Sequence, residues 1–356
     1  MFAGTQAAGA VGTGSGEGAG GGRSRAGGGP HDRLVTSTAG PGPGAGLPSW
    51  QAMEDTVPEP ATVLVDGPWR HRDVSANGTR LHVAELGSGP LVLLLHGFPQ
   101  FWWAWRHQLT ALAAAGYRVV APDLRGYGAS DKPPRGYDAF TLSDDVAGLV
   151  RALGEPDAAV VGHDWGGLLG WTTAVRHPMV VRRLAILAMP HPLRLRHQIA
   201  ADPRGQGVAS RYMLGFQLPW RPERVLVAED AAHVATLLRG WGGPGYPDAE
   251  AERRYRSAMR VPGVAHSSLE YHRWIFRSLF RPDGARFGSV LRRSLRMETL
   301  QIHGEMDRCF LPSTAQGSGR YVSGPYTWRL LGEIGHFPHE EAPDLVNAEL
   351  LGWLRP

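Results

Sequence analysis

Ala158-Ala159-Val160-Val161-Gly162-His163-Asp164-Trp165-Gly166-Gly167 is the stretch that decides how this chain folds. A short apolar run suited to a buried strand ends in a small residue and turns at once. Paired glycines then open a helix-compatible segment from Leu168 to His177. This is the spacing of the strand-turn-helix elbow usually written G-x-S-x-G. Its small residues let the helix backbone pass close to the strand, while the central residue is held in a strained turn. The central residue here is Asp164, and G-x-S-x-G occurs nowhere in the chain.

The exchange of serine for aspartate changes the feasible chemistry. A carboxylate with an ordinary pKa of about 3.9 is anionic at neutral pH without help from a base. It attacks esters and amides poorly, but it can open a strained or activated bond at saturated carbon and leave an alkyl ester behind. Epoxides and alkyl halides are the substrate classes that follow. A plain helix N-cap is the alternative reading of an aspartate at this position.

Outward from the elbow, short β-branched or leucine-rich runs alternate with longer helix-compatible segments, which predicts an α/β fold with a mostly parallel central sheet flanked by helices. Arg80 to Glu85 reads as an edge strand. Leu91 to Leu95, Arg118 to Ala121, Ala158 to Val161 and Leu184 to Leu187 read as buried parallel strands, with helices predicted at 103–115, 141–153 and 168–177. From 190 to 282 the chain is rich in Arg, Trp, Tyr and Pro and shows no strand pattern, so it reads as an inserted helical cap. The alternation resumes with strands at 299–302 and 327–331 and a last helix at 344–354. The expected organisation is a Gly/Ala/Pro-rich, disordered extension over 1–60, a first core segment over 61–189, the cap over 190–282 and a second core segment over 283–356. Met53 is a candidate alternative start.

The 356 residues, 42% hydrophobic and 20% charged, suffice for one core with an insertion. A net charge of +4 is spread among carboxylates, without the clustered basic and stacking residues of a nucleic-acid surface. No apolar run approaches the eighteen or so residues of a membrane-spanning helix, so no stable membrane insertion is expected. One cysteine, Cys309, excludes an intrachain disulfide, and with no secretory signal pattern this fits a cytoplasmic protein. Nothing in the sequence sets an oligomeric state.

In open α/β sheets, active groups collect at the carboxyl ends of the strands. After the first buried strand comes His96-Gly97-Phe98-Pro99, a loop able to aim the Phe98 N–H at a developing oxyanion, with the Trp165 N–H as its companion. The late strands are followed by His303-Gly304-Glu305-Met306-Asp307 and by Gly335-His336. The order nucleophile, acid, base gives Asp307 the task of orienting His336, and His336 that of activating water, with Glu305 as the alternative acid. His336 and His339 stand at helical spacing, but no third ligand accompanies them, so no metal and no cofactor is expected.

These residues resemble the α/β-hydrolase-fold epoxide hydrolases of the bacterial soluble type, from about Gly67 to the C-terminus. The resemblance rests on His96-Gly97-Phe98-Pro99 with Phe101-Trp102-Trp103, and on Asp123-Leu124-Arg125-Gly126-Tyr127-Gly128 with Ser130-Asp131-Lys132-Pro133. The Asp164 elbow, Asp307 and Gly335-His336 complete it in family order. It implies two cap tyrosines whose hydroxyls hold the epoxide oxygen. Tyr212, in Tyr212-Met213-Leu214-Gly215-Phe216-Gln217-Leu218-Pro219, matches the first. Tyr271, in Leu269-Glu270-Tyr271-His272-Arg273, resembles the second, although the family often has Arg directly after that tyrosine and His272 intervenes here. Tyr246 and Tyr255 are alternatives. Trp102, Trp103, Phe216 and Gln217 are the expected substrate-binding residues, and a small lipophilic epoxide with water is the expected substrate pair. The implied activity is hydrolysis to a vicinal diol through an ester on Asp164. The competing readings are a haloalkane-type dehalogenase with the same nucleophile, and a noncatalytic ligand-binding protein of the same fold.

Overall fold

The computed structural model describes residues 58–355, so nearly all of the predicted 1–60 extension, and Met53 with it, lies outside the described residues. Eight strands form one sheet: β1 (Arg70–Ala76), β2 (Thr79–Leu86), β3 (Leu91–Leu95), β4 (Arg118–Pro122), β5 (Ala158–His163), β6 (Val181–Leu187), β7 (Thr299–Gly304) and β8 (Tyr326–Leu331). Their order is β1-β2-β4-β3-β5-β6-β7-β8. The β1/β2 and β2/β4 pairs are antiparallel and the rest are parallel. The predicted edge strand at Arg80 to Glu85 is therefore not the edge. The polar strand β1 lies outside it, returned by Asn77-Gly78, whose positive φ values of 46° and 72° suit a tight hairpin.

Helices α1 (Arg106–Ala114), α2 (Ala139–Ala152) and α3 (Trp165–Arg176) alternate with the first strands. The segment between β6 and β7 carries seven helices and no strand: α4 (Pro192–Ala201), α5 (Gln206–Ala209), α6 (Tyr212–Gly215), α7 (Arg221–Trp241), α8 (Ala249–Arg260), α9 (Val264–Ser278) and α10 (Pro282–Val290). The last of these, α10, begins at the expected 282 boundary, and its Phe287 packs edge-on against Trp274 of α9. Then α11 (Pro312–Gln316), α12 (Pro338–Glu341) and α13 (Pro343–Leu354) complete the chain. α2 packs on α3, and α1 on α13. Every residue of β3 and β5 is buried, as helical cover of both faces requires. Because β4 and β5 lie on opposite sides of β3, the loops after β3 and β5 open onto one crevice at the carboxyl edge of the sheet. Among the described residues, no helix is long and apolar enough to cross a membrane.

One carboxylate gathers several of the contacts that fasten the cap to the core. Glu340, its side chain 1% exposed, pairs with Arg106. It accepts hydrogen bonds from the hydroxyls of Tyr246 and Tyr255, each at 2.6 Å, and from the Gln100 amide. Both alternative tyrosines are thereby committed to the seam. Glu340→Ala would strand the Arg106 charge and three buried donors. An expected loss of about 3–5 kcal/mol follows from breaking a buried ion pair on one side only. Urea unfolding at constant slope measures it, and a loss below about 1 kcal/mol would refute the fastening role.

Candidate active site

Asp164 stands at the end of β5 with φ 49° and ψ −116°, a conformation few non-glycine residues adopt. The turn closes because Gly162 and Gly166 lack side chains: a Cβ on Gly162 would collide with the Gly166 carbonyl, and one on Gly166 with the Leu95 carbonyl. Gly97 gives way in the same manner to the Asp164 side chain. The loop after β3 is pinned by His96, whose Nε2 accepts the Leu124 N–H at 3.1 Å while Nδ1 donates to the Gly97 carbonyl at 3.0 Å. So held, the loop donates the Phe98 N–H to Asp164 Oδ1 at 2.8 Å. α3 starts at Trp165, whose N–H belongs to the first helical turn, where backbone donors have no intrahelical acceptor. Phe98 thus bonds the carboxylate directly, and Trp165 follows it in the chain at the start of α3.

His336 lies on the other side of that carboxylate, its Nε2 3.6 Å from Asp164 Oδ2 and its Nδ1 donating to Asp307 Oδ2 at 2.9 Å. The Asp307 Oδ1 accepts the Cys309 and Phe310 N–H groups at 2.8 and 2.9 Å, and His303 Nε2 stands 3.2 Å from Oδ2. Glu305 is exposed and takes no part in this set. All three triad side chains are buried. Burial acts against charge on His336, but the carboxylates of Asp307 and Asp164 outweigh it and hold the imidazole up to about 10. Burial likewise opposes charge on the two aspartates. The hydrogen bond and charge of His336 reverse that at Asp164, and the His336 charge with the His303 hydrogen bond does so at Asp307, so both titrate below the usual carboxylate range. His339 does not join the set: it packs on Trp105 and His163, at 4.5 and 4.4 Å between ring centres.

An aromatic chamber covers the triad. Phe98 meets His272, Phe216 and Trp241 at centroid distances of 5.0, 5.8 and 6.2 Å, and Trp241 meets His336 at 5.8 Å. Tyr212 joins the same rings, 5.4 Å from Phe216, 5.1 Å from Trp241 and 6.1 Å from His272, with its hydroxyl 3.6 Å from Cys309 Sγ. Burial pushes this phenol far above its ordinary pKa, so it stays a proton donor. Tyr271 departs from expectation. Its hydroxyl donates to the Arg125 carbonyl at 2.7 Å, and its ring faces Tyr127, Tyr137 and Trp165.

The next residue, His272, faces the chamber in its place. Its Nδ1 donates to the Ser268 carbonyl at 3.1 Å, and its Nε2 accepts the Trp165 indole N–H at 3.1 Å. That assignment is the neutral tautomer, and burial lowers the pKa to about 4. Three substrate-binding expectations also change. Trp102 is fully buried behind the crevice, donating to the Val63 carbonyl and packing on Trp69 and His71. Trp103 lies at the seam under Arg106 and Arg254. Gln217 spends its amide N–H groups on the Met213 and His272 carbonyls, bracing the cap. Phe216 does line the chamber, and Trp241, which no sequence motif marks, lines it too. Among the described residues no cluster of three His, Cys, Asp or Glu side chains could hold a metal ion.

Residues 90–343 match the family described as alpha/beta hydrolase fold. The AB hydrolase superfamily protein YfhM of Bacillus subtilis is 34% identical over 79% of this chain and 96% of its own length. Epoxide hydrolase A of Mycobacterium tuberculosis is 31% identical over 80% of this chain and 96% of its own. Among solved structures, an epoxide hydrolase from Bacillus megaterium, described with a bound naphthyloxy-propanediol product, superposes with a TM-score of 0.72 at 30% identity, covering 80% of this chain and 99% of that one. With the fold, the aspartate elbow and these likenesses together, the chain belongs to the α/β-hydrolase-fold family, on its epoxide hydrolase branch.

Proposed function

We propose that this protein hydrolyses a lipophilic epoxide to a vicinal diol through a covalent ester on Asp164. The observation that carries the reading is the surroundings of one carboxylate: a backbone donor at 2.8 Å on one oxygen, the imidazole of His336 at 3.6 Å from the other, and an aromatic roof that bears the phenol of Tyr212. The Tyr212 hydroxyl donates to the ring oxygen while Asp164 attacks a ring carbon. The C–O bond of the epoxide breaks, the oxygen takes the proton that Tyr212 donates, and a hydroxyalkyl ester forms. The phenol is reprotonated by the proton that His336 loses as the Asp164 charge disappears. His336, oriented by Asp307, then takes a proton from water as the water adds to the ester carbonyl. The Phe98 and Trp165 N–H groups hold the tetrahedral oxyanion. The diol departs, its new hydroxyl oxygen coming from Asp164, and the water oxygen remains in the carboxylate.

Two features weigh against a departing halide as the leaving group. Phe98 offers no side-chain donor in the loop after β3, and the indole N–H of Trp165 is committed to His272. A buried, unpaired Cys309 suits a cytoplasmic setting. The test is one turnover of a styrene-oxide-type substrate by excess enzyme in oxygen-18 water, with mass spectrometry of diol and protein. Unlabelled diol and label in the Asp164 peptide are expected. Labelled diol with unlabelled protein would mean direct attack by water and would overturn the ester mechanism.

A further inference from the structure

Away from the catalytic chamber, the cap holds a cavity of about 520 Å³ walled by Ile199, Met213, Ile275, Phe287 and Leu291. Its rim carries Leu214, Leu279 and Phe280, exposed to 55, 43 and 79%, a cluster of apolar side chains that a folded surface rarely leaves to water. A second cleft of about 640 Å³ adjoins it, sharing Leu193, Arg196, Gly284 and Gly288, and lined further by His197 and Arg292. Arg196 is common to both, and Arg211 lines the apolar part. Among the described residues no carboxylate pairs with Arg196, Arg211 or Arg292. The apolar chamber thus opens into a cationic mouth whose charges have no carboxylate partner among the described residues.

We propose that this double cavity binds a single-chain amphiphile with an anionic head, namely a free long-chain fatty acid, its tail in the apolar chamber and its carboxylate at Arg196 and Arg292. Charge complementarity selects the class. A neutral hydrocarbon would gain nothing from the exposed guanidinium groups, and a small anion would leave the apolar walls and the Leu279 and Phe280 rim in water. The apolar chamber that would take the tail, about 520 Å³, by itself lies within the ~300–1,000 Å³ of small-molecule sites. Asp164, Tyr212 and His336 line neither cavity, so the site is distinct from the catalytic one; Arg211 and Met213, which flank Tyr212, and Leu168, one turn beyond Asp164, are its nearest links to it in sequence. The site does not rest on the catalytic reading, because its occupancy is measured without turnover.

Calorimetric titration of the full chain with laurate below its micelle concentration tests it. Saturable one-to-one binding is expected, unchanged when the catalytic chamber is filled with a diol product. Arg196→Glu with Arg292→Glu should weaken it at least tenfold. Gly288→Leu should do the same by a different route: a Cβ there meets nothing nearer than Leu193 Cδ2 at 3.9 Å, and Gly288 lines both cavities, so the added side chain starts at their junction. Basal epoxide turnover should be unaltered in both variants. Equal binding of dodecylammonium, undiminished binding in both variants, displacement of laurate by the diol, or uptake only by vesicles of anionic phospholipid would each overturn the proposal.

Discussion

In the His336→Gln enzyme, a styrene-oxide-type substrate is expected to be consumed once per active site and no further, with steady-state turnover down by about 10³-fold, the scale of a lost general base. Alkylation draws on the Asp164 anion, which glutamine leaves in place, whereas hydrolysis needs a group able to take a proton from water. Intact-mass measurement should show enzyme plus one substrate mass accumulating, and normal turnover would remove His336 from its role. The same coupling fixes a pH dependence. In the free enzyme burial favours neutral imidazole, but two carboxylates keep His336 charged up to about 10. Once Asp164 is an ester, one of those charges and its hydrogen bond are gone, so the proton leaves His336 at lower pH and the base form appears when it is needed. Hydrolysis of preformed ester should therefore rise with pH and level off well below 10, while His336 in the free enzyme still titrates near 10 by NMR. A plateau reached only near 10 would refute the coupling.

The sheet and the triad were legible because each is written in local sequence. Leu91 to Leu95 and Ala158 to Val161 are apolar runs too short for helices, and their ends deliver the oxyanion loop and Asp164. Strand β1 was not, since Arg70–Ala76 is a polar edge with no apolar run, and only Asn77-Gly78 signals its hairpin. The cap was the weak point because helix register there depends on packing against the core. In α9 a shift of one residue turns Tyr271 from the chamber to the Arg125 carbonyl and brings His272 in. The arginine expected directly after the oxygen-binding residue follows His272, and that one-residue offset was the available signal. Trp102 and Trp103 show a different limit: adjacent aromatics in a motif can face away from the site it builds, here toward β1 and toward the cap seam. Trp241, at the end of α7, carries no signal in sequence, because its approach to His336 depends on how the cap closes.

The second large effect is expected from Tyr212→Phe: alkylation at neutral pH should fall about 10²–10³-fold, the scale of removing one preorganised donor to a developing oxyanion, with little change in substrate binding. The size follows from the lack of a second phenol on the chamber wall among the described residues. Tyr271 is bonded to the Arg125 carbonyl. His272 has its only proton on Nδ1, given to Ser268, and its Nε2 already accepts from Trp165. Only below about 4, where His272 binds a second proton, does its Nε2 gain a hydrogen to offer. The residual activity of Tyr212→Phe should therefore climb as pH falls toward 4, and that climb should vanish in the double variant with His272→Phe. His272→Phe alone should slow alkylation less than tenfold, since it removes an acceptor for Trp165 rather than a donor to substrate. Rapid-quench measurement of ester formation separates these cases. If Tyr212→Phe alkylated within threefold of the parent at pH 7, another group would have to serve the ring oxygen, and the single-phenol chamber would be wrong.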